Sequence, residues 1–325
     1  MTSLTRAVVL ALSLVTAGSA FSQCRESELA VGLVLPDGHL LRNARPEQLL
    51  GESSAKKIPL LGMSVDNGPR RIVFVMDLSR TLSLDARRLE VRFLQHYMQT
   101  ARSGDSFGLR TLGGKHNFEV GTQTEILTSF LAEVEKGLTE PHGDVGAYET
   151  VADAAKSFSP PALGNAIVLL TGEIEGSHRT RFGDAQAILW ARQVRLFAVS
   201  LSPLYVGEFD TTFGGVGRDW YMVTGFVGNR ETLEDLAWGS GGFSIIRPTD
   251  RPHQSFQLTD VAIKTTESDA DIIRRSIDEF YRLRLNLNTS DSRVHSWKLD
   301  LVPDLRKKLP QASVLYPAEI PICKP

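Results

Sequence analysis

Residues 72–81 read IVFVMDLSRT, and the fold turns on this stretch. IVFVM is short, wholly apolar and rich in β-branched side chains, the pattern of a strand covered on both faces. The chain then becomes polar at once, with Asp77, Ser79 and Thr81 at alternate positions. A doubly covered strand needs a layer on each side, and the first follows immediately. From 84 to 102, Leu89, Phe93, Tyr97 and Ala101 recur every four residues with Leu94 and Met98 beside them, which predicts an amphipathic helix.

The alternation continues outward. Strands are predicted over 106–112, 166–171 (AIVLLT), 194–201 (VRLFAVSL) and 243–246, with a short edge strand over 118–121. Helices are predicted over 125–138, over 149–158 up to Pro160-Pro161, over 183–193, and over 233–238 up to Gly239 and Gly241-Gly242. Strands alternating with helices imply an α/β fold, a doubly wound and mostly parallel sheet. From Asp269 the period changes. One helix over 272–280 leads into alternating runs at 281–287, 297–302 and 313–316, and similar runs stand at 29–35 and 58–63 around the turn Pro36-Asp37-Gly38. These flanking antiparallel strands from the two ends are expected to be continuous with each other.

The 325-residue chain has 36 Lys+Arg against 38 Asp+Glu, a net charge of −2, which argues against a nucleic-acid partner. Hydrophobic residues are 42% and charged residues 23%, which excludes wholesale disorder and a fibrous repeat. Two cysteines cannot build a disulfide-dense scaffold or a zinc knuckle. The first 25 residues hold no acid, and Arg6 precedes an apolar run, AVVLALSLVT, too short for the roughly 20 residues of a membrane span. Small residues follow in AGSAFSQ, so 1–22 reads as a secretory signal cut before Gln23, with Ala20–Phe21 as the alternative. Lipidation of Cys24 is disfavoured, because Gln23 stands where a small residue is needed. The mature chain has no later apolar run long enough to cross a membrane, so a secreted or periplasmic protein is expected.

An apolar strand ending in Asp-x-Ser-x-Thr within an alternating α/β chain resembles the von Willebrand factor type A domain. That domain's first strand ends in Asp-x-Ser-x-Ser, the opening of a metal-ion-dependent adhesion site. ETVADAA at 149–155 is similar to its second loop and helix, AIVLLTGE at 166–173 to its fourth strand, and LEDLAWGSGGFSIIRP at 233–248 to its last helix and strand. The flanks LPDGHLLRNARPEQL, YRLRLNLN, HSWKLDLV and ASVLYP resemble the secreted bacterial VWFA-related family, common in acidobacteria. The resemblance implies a signal peptide at 1–22, N-terminal flanking strands at 23–68, a type A core at 69–250, and a C-terminal helix with flanking strands at 251–325. It also implies a Rossmann-like core whose two flanks share a layer. That layer would bring Cys24 and Cys323 together as a disulfide, against the alternative of two free thiols.

The family's site holds a hard cation on oxygen ligands, and neutral hydroxyls leave the ion able to capture a partner's carboxylate. Asp77, Ser79 and Thr81 keep the first loop. In the second loop the Thr position falls on Glu149, with Thr150 one residue off, and in the third Thr171 is followed by Gly172, with Glu173 one residue late. Two readings stay open: a Mg²⁺ or Ca²⁺ site completed by Glu149 or Glu173, or a vestigial site in which Asp77 caps the loop and the following helix. The segment 204–228, with six glycines and six aromatics, should emerge on the same face, either as a recognition loop or as a hairpin packed on its own domain. The seven histidines form no ligand motif, Ser240 sits in a Gly-rich corner rather than a nucleophile elbow, and Asp300, Asp304 and Arg306-Lys307-Lys308 read as a solvated turn. The expected function is a secreted, non-enzymatic module for protein binding, adhesion or assembly, with an unknown protein partner and a degenerate metal site. The alternatives are an exported hydrolase using carboxylates near Asp77 and Glu149, and a metal-free structural envelope subunit.

Overall fold

The computed structural model describes residues 26–53, 56–80, 82–112, 115–140, 146–172, 180–200, 204–205, 221–223, 232–246, 248–249, 258–287 and 297–320. Cys24, Cys323, the signal segment, Thr81, Glu173 and most of 204–228 lie outside them. The N-terminal flank contributes β1 (Glu26–Val34), β2 (Leu49–Ser53), β3 (Lys56–Lys57) and β4 (Leu60–Asp66). The core begins with β5 (Arg71–Asp77), α1 (Leu84–Thr100), β6 (Ser106–Leu112), β7 (Asn117–Phe118), α2 (Thr124–Glu135) and α3 (Ala147–Lys156). It continues with β8 (Asn165–Thr171), α4 (Phe182–Ala191), β9 (Val194–Ser200), β10 (Leu204–Tyr205), β11 (Tyr221–Val223), α5 (Leu233–Gly239), β12 (Phe243–Ile246) and β13 (Pro248–Thr249). The chain closes with α6 (Asp260–Asp278), β14 (Phe280–Asn286), β15 (Trp297–Leu301), α7 (Pro303–Lys308) and β16 (Ser313–Leu315).

The core sheet runs β11-β12-β9-β8-β5-β6-β7. Its inner pairs are parallel, and the edge strands β7 and β11 pair antiparallel. The chain steps from β5 to β6 on one side and later to β8 on the other, so β5 is the topological switch point of a doubly wound sheet. Alternation along β5 explains why IVFVM has no polar residue. Ile72, Phe74 and Met76 pack under α1, α2 and α6 with Phe93, Leu131 and Ile273, while Val73 and Val75 pack under α3, α4 and α5 with Val151, Leu189 and Leu236. Each such side chain, when fully buried, contributes about 1.5–3 kcal/mol.

The two flanks interleave as expected. β16-β1-β14-β4 form one antiparallel sheet, with Leu29 opposite Leu283, and β15-β2-β3 form a second. Between them Leu33, Leu285, Trp297 and Leu299 bury a third apolar cluster. At the corner between α5 and β12, a Cβ on Gly242 would come within 1.7 Å of the Leu196 carbonyl oxygen, and Gly241 has φ +87°, so both positions need glycine.

Some boundaries differ from those predicted. The last long helix is α6, which starts at Asp260 rather than 272, with Thr259 capping the Ala262 N–H at 3.1 Å. Its first half hid from hydrophobic periodicity because its buried face carries Thr266 and Asp269. Phe280 belongs to β14, not to that helix. The stretch 303–308 is a short helix, and its Arg306 pairs with Asp300. The edge strand is Asn117–Phe118, shorter than predicted.

Candidate functional site at the carboxyl end of the central strand

β5 delivers Asp77 to the carboxyl edge of the sheet, where it is 1% exposed. Its Oδ1 accepts the Ser79 N–H at 2.8 Å, and its Oδ2 accepts the Gly172 N–H at 3.0 Å and the Thr171 hydroxyl at 3.3 Å. One carboxylate thus joins the first loop to the end of β8. Its own N–H donates to Oε2 of Glu90, a side chain of α1 with no exposure. Burial, then the neighbouring Asp77 charge, push the Glu90 carboxyl well above the usual carboxylate range. From one turn earlier on α1, Arg87 donates through Nη2 to the carbonyls of Ser79 and Leu82, both at 2.8 Å. Asp77 therefore ties the first loop to the end of β8. The helix itself is capped by Ser83, which accepts the Ala86 N–H at 3.2 Å.

Leu82 closes over this corner. A Cβ on Gly172 would lie 2.4 Å from Leu82 Cδ1 and 3.8 Å from Asp77 Oδ2, so the side chain of Leu82 occupies the room that a third-loop carboxylate would need. In the second loop, Glu149 lies in the first turn of α3 and its Oε1 accepts the Thr180 N–H at 2.5 Å. The neighbouring Thr150 is buried, with its hydroxyl 3.5 Å from the Gly146 carbonyl.

As a donor set for a divalent cation, these residues fit poorly. Three of the roughly four acceptor positions on the Asp77 carboxylate receive protein N–H or O–H groups. Glu149 spends one oxygen on Thr180, and the third-loop position has no side chain. Among the described residues no group of three or more His, Cys, Asp or Glu side chains gathers as a metal centre. Beside α3 an open cleft of about 510 Å³ runs along the β6–β7 hairpin. Four of its charged residues form two ion pairs, Arg110 with Glu119 at 3.1 Å and Lys156 with Asp153 at 2.8 Å. Ser240 is structural, its Oγ donating to the Ala237 carbonyl at 2.7 Å and accepting the Leu196 N–H at 2.8 Å.

Motif reading brought out Asp77, Ser79, Thr81 and Glu149; Thr81 lies outside the described residues, and the structure brings Asp77 and Ser79 together. It missed Arg87, Glu90 and Leu82. The one signal was a carboxylate within the apolar stripe of α1, four residues before Leu94.

The strand order, with the Asp77 loop at the switch point, defines the class: the core is a doubly wound, mostly parallel α/β fold of the kind that the resemblance to von Willebrand factor type A domains implies. No family model matches the chain, and no curated protein matches it. Among solved structures it is similar to an aerotolerance-related membrane protein from Bacteroides fragilis, at 16% identity and TM-score 0.41 over 65% of this chain and 99% of that one. It is also similar to BatB from Bacteroides thetaiotaomicron, at 19% identity and TM-score 0.36 over 63% and 98% of the two chains. A von Willebrand factor type A protein from Catenulispora acidiphila matches at 12% identity and TM-score 0.34, over 56% of this chain and 42% of that one.

Proposed function

We propose that this protein is an exported, non-enzymatic module for protein binding or assembly, and that its carboxyl-end loops meet their partner without a divalent cation. The observation that carries the reading is the inward wrap of Asp77, whose carboxylate holds Ser79, Thr171 and Gly172 instead of facing outward. Loops at the switch point of a doubly wound sheet are where such folds place recognition. The described ends of those loops are tied together by protein hydrogen bonds from Ser79, Thr171 and Gly172 to Asp77, with Leu82 beside Gly172.

Export rests on the signal-like segment 1–22, and a Cys24–Cys323 bridge in the mature chain goes with it. N-terminal sequencing of exported protein should begin at Gln23, and mass spectrometry after alkylation without reduction should find neither cysteine modified. Partner capture from envelope extract of the source organism tests binding. The captured set should be the same in Mg²⁺ and in EDTA. Capture that needs Mg²⁺ and disappears in Asp77→Asn would overturn the reading.

A further inference from the structure

Among the described strands, nearly every sheet edge is short or charged. β7, β10 and β13 have two residues each, and β11 and β16 three. β3 is Lys56-Lys57 with both side chains exposed, and the five-residue β15 carries Lys298 and Asp300. Short and lysine-bearing edges are ordinary devices against pairing with another chain. β4 is the exception. It is seven residues long, ends its sheet, and carries no charge and no proline over 60–65. Leu61 and Val65 are 41% and 48% exposed. The register shift at Arg284/Leu285 leaves Leu61 in a bulge, so 62–66 is the regular part of the edge.

Met63 and Val65 stand opposite Leu283 and Tyr281 of β14, both buried in the third apolar cluster. That apolar face therefore runs out to β4, beside which no further described strand pairs, although the turn Pro46–Gln48 lies near it. We propose that β4 is the seam of a two-fold dimer, pairing antiparallel with β4 of a second copy about Ser64. In this register Met63 faces the partner subunit's Val65, and residues of like parity meet, so the two apolar faces join on one side. Gly62, over which the Arg284 guanidinium lies, faces the partner subunit's Asp66, which Arg70 and Arg282 of its own chain hold. A second copy is favoured over an unrelated strand because the edge is self-complementary: apolar meets apolar, and the small Ser64 lies on the axis. Two four-stranded sheets become one continuous sheet. A seam of one seven-residue strand from each copy is small beside the roughly 1,200–2,000 Å² of a standard stable interface, so a weak, reversible association is expected.

Sedimentation equilibrium of the mature protein over a wide concentration range tests this. A reversible monomer–dimer equilibrium is expected. Val65→Lys, at a half-exposed position, should weaken it at least about tenfold, with the melting temperature unchanged at concentrations where the protein is monomeric. Ser64→Cys should form a covalent dimer on oxidation that the parent protein does not. A monomer at every concentration overturns the proposal, as does a dimer that Val65→Lys leaves intact. A dimer that never cross-links through Ser64→Cys overturns the two-fold register.

Discussion

The backbone N–H of Asp77 donates to Oε2 of Glu90 at 3.0 Å, so the loop at the candidate site rests on a second, fully buried carboxyl group. Burial and the Asp77 charge raise the Glu90 pKa, while the Asp77 N–H and Arg87 oppose the rise only in part. The raised pKa of Glu90 eases the repulsion between the two acids that share this corner.

The pH dependence follows. The folded state keeps a proton on Glu90 that the unfolded chain loses above about pH 4.3, so folding takes up a proton. Glu90 thus favours folding at low pH, and that contribution is lost as pH rises toward its folded pKa. The slope is at most about 1.4 kcal/mol per pH unit. Glu90→Gln keeps the shape and the acceptor without the titration. Urea denaturation from pH 5 to 9 should show the variant gaining on the parent as pH rises. A gap that stays constant with pH would mean that Glu90 is not held neutral.

Asp66 titrates with the opposite sign. Burial alone would raise its pKa, but hydrogen bonds from Arg70, the Gly68 N–H and Arg282 together bring it down to about 2. Its contribution is present above the unfolded value and is lost as pH falls from about 4 through 2, a total of about 2 kcal/mol. Asp66→Asn should remove that acid limb. It should also cost about 3–5 kcal/mol at neutral pH, because the buried Arg70 loses its counter-ion. Acid titration of stability by circular dichroism compares the two proteins, and matching acid limbs would exclude Asp66 as the cause.

The strands legible in sequence are those with a layer on each face. Arg71–Asp77, Asn165–Thr171 and Val194–Ser200 are buried nearly throughout, so composition alone marks them. Leu49–Ser53 was missed because LLGES, part-buried in a small flanking sheet, shows neither a clean alternation nor a continuous apolar run. The first half of α6 was missed for a related reason, its inner face being polar at Thr266 and Asp269. In the candidate site, Asp77 and Ser79 are local in sequence and carry a motif. The contacts that decide its chemistry are not local: Asp77 with Gly172 spans 95 positions, and Leu82 meets Gly172 only in the fold.

The Leu82–Gly172 contact is open to a double-mutant cycle. Gly172→Ala would put its Cβ 2.4 Å from Leu82 Cδ1, so the leucine must move, at about 1–3 kcal/mol. In a Leu82→Ala background the same change should cost less, with a coupling of about 0.5–3 kcal/mol. Thermal unfolding of the four proteins measures it. Strict additivity would show that Leu82 does not press on this corner.

The last prediction concerns the cation. Mg²⁺ needs near-octahedral oxygen donors and gives up water reluctantly, whereas Ca²⁺ accepts irregular cages. Asp77 has both oxygens engaged by protein donors, and Gly172 supplies no carboxylate. A cation would have to break these hydrogen bonds to coordinate Asp77 fully, so neither Mg²⁺, Mn²⁺ nor Ca²⁺ should stabilise the mature protein. The measurement is sensitive: an ion at a hundred times its Kd would add about 2.7 kcal/mol. Calorimetry should record no binding heat, and EDTA should leave the melting temperature unchanged. Asp77→Asn separates structure from ligation. The asparagine can still accept the Ser79 N–H, but its amide NH₂ then meets the Gly172 N–H, donor against donor. The expected cost is about 1–3 kcal/mol, equal in Mg²⁺ and in EDTA. A micromolar Mg²⁺ site that disappears in Asp77→Asn would show instead that these loops open to bind an ion.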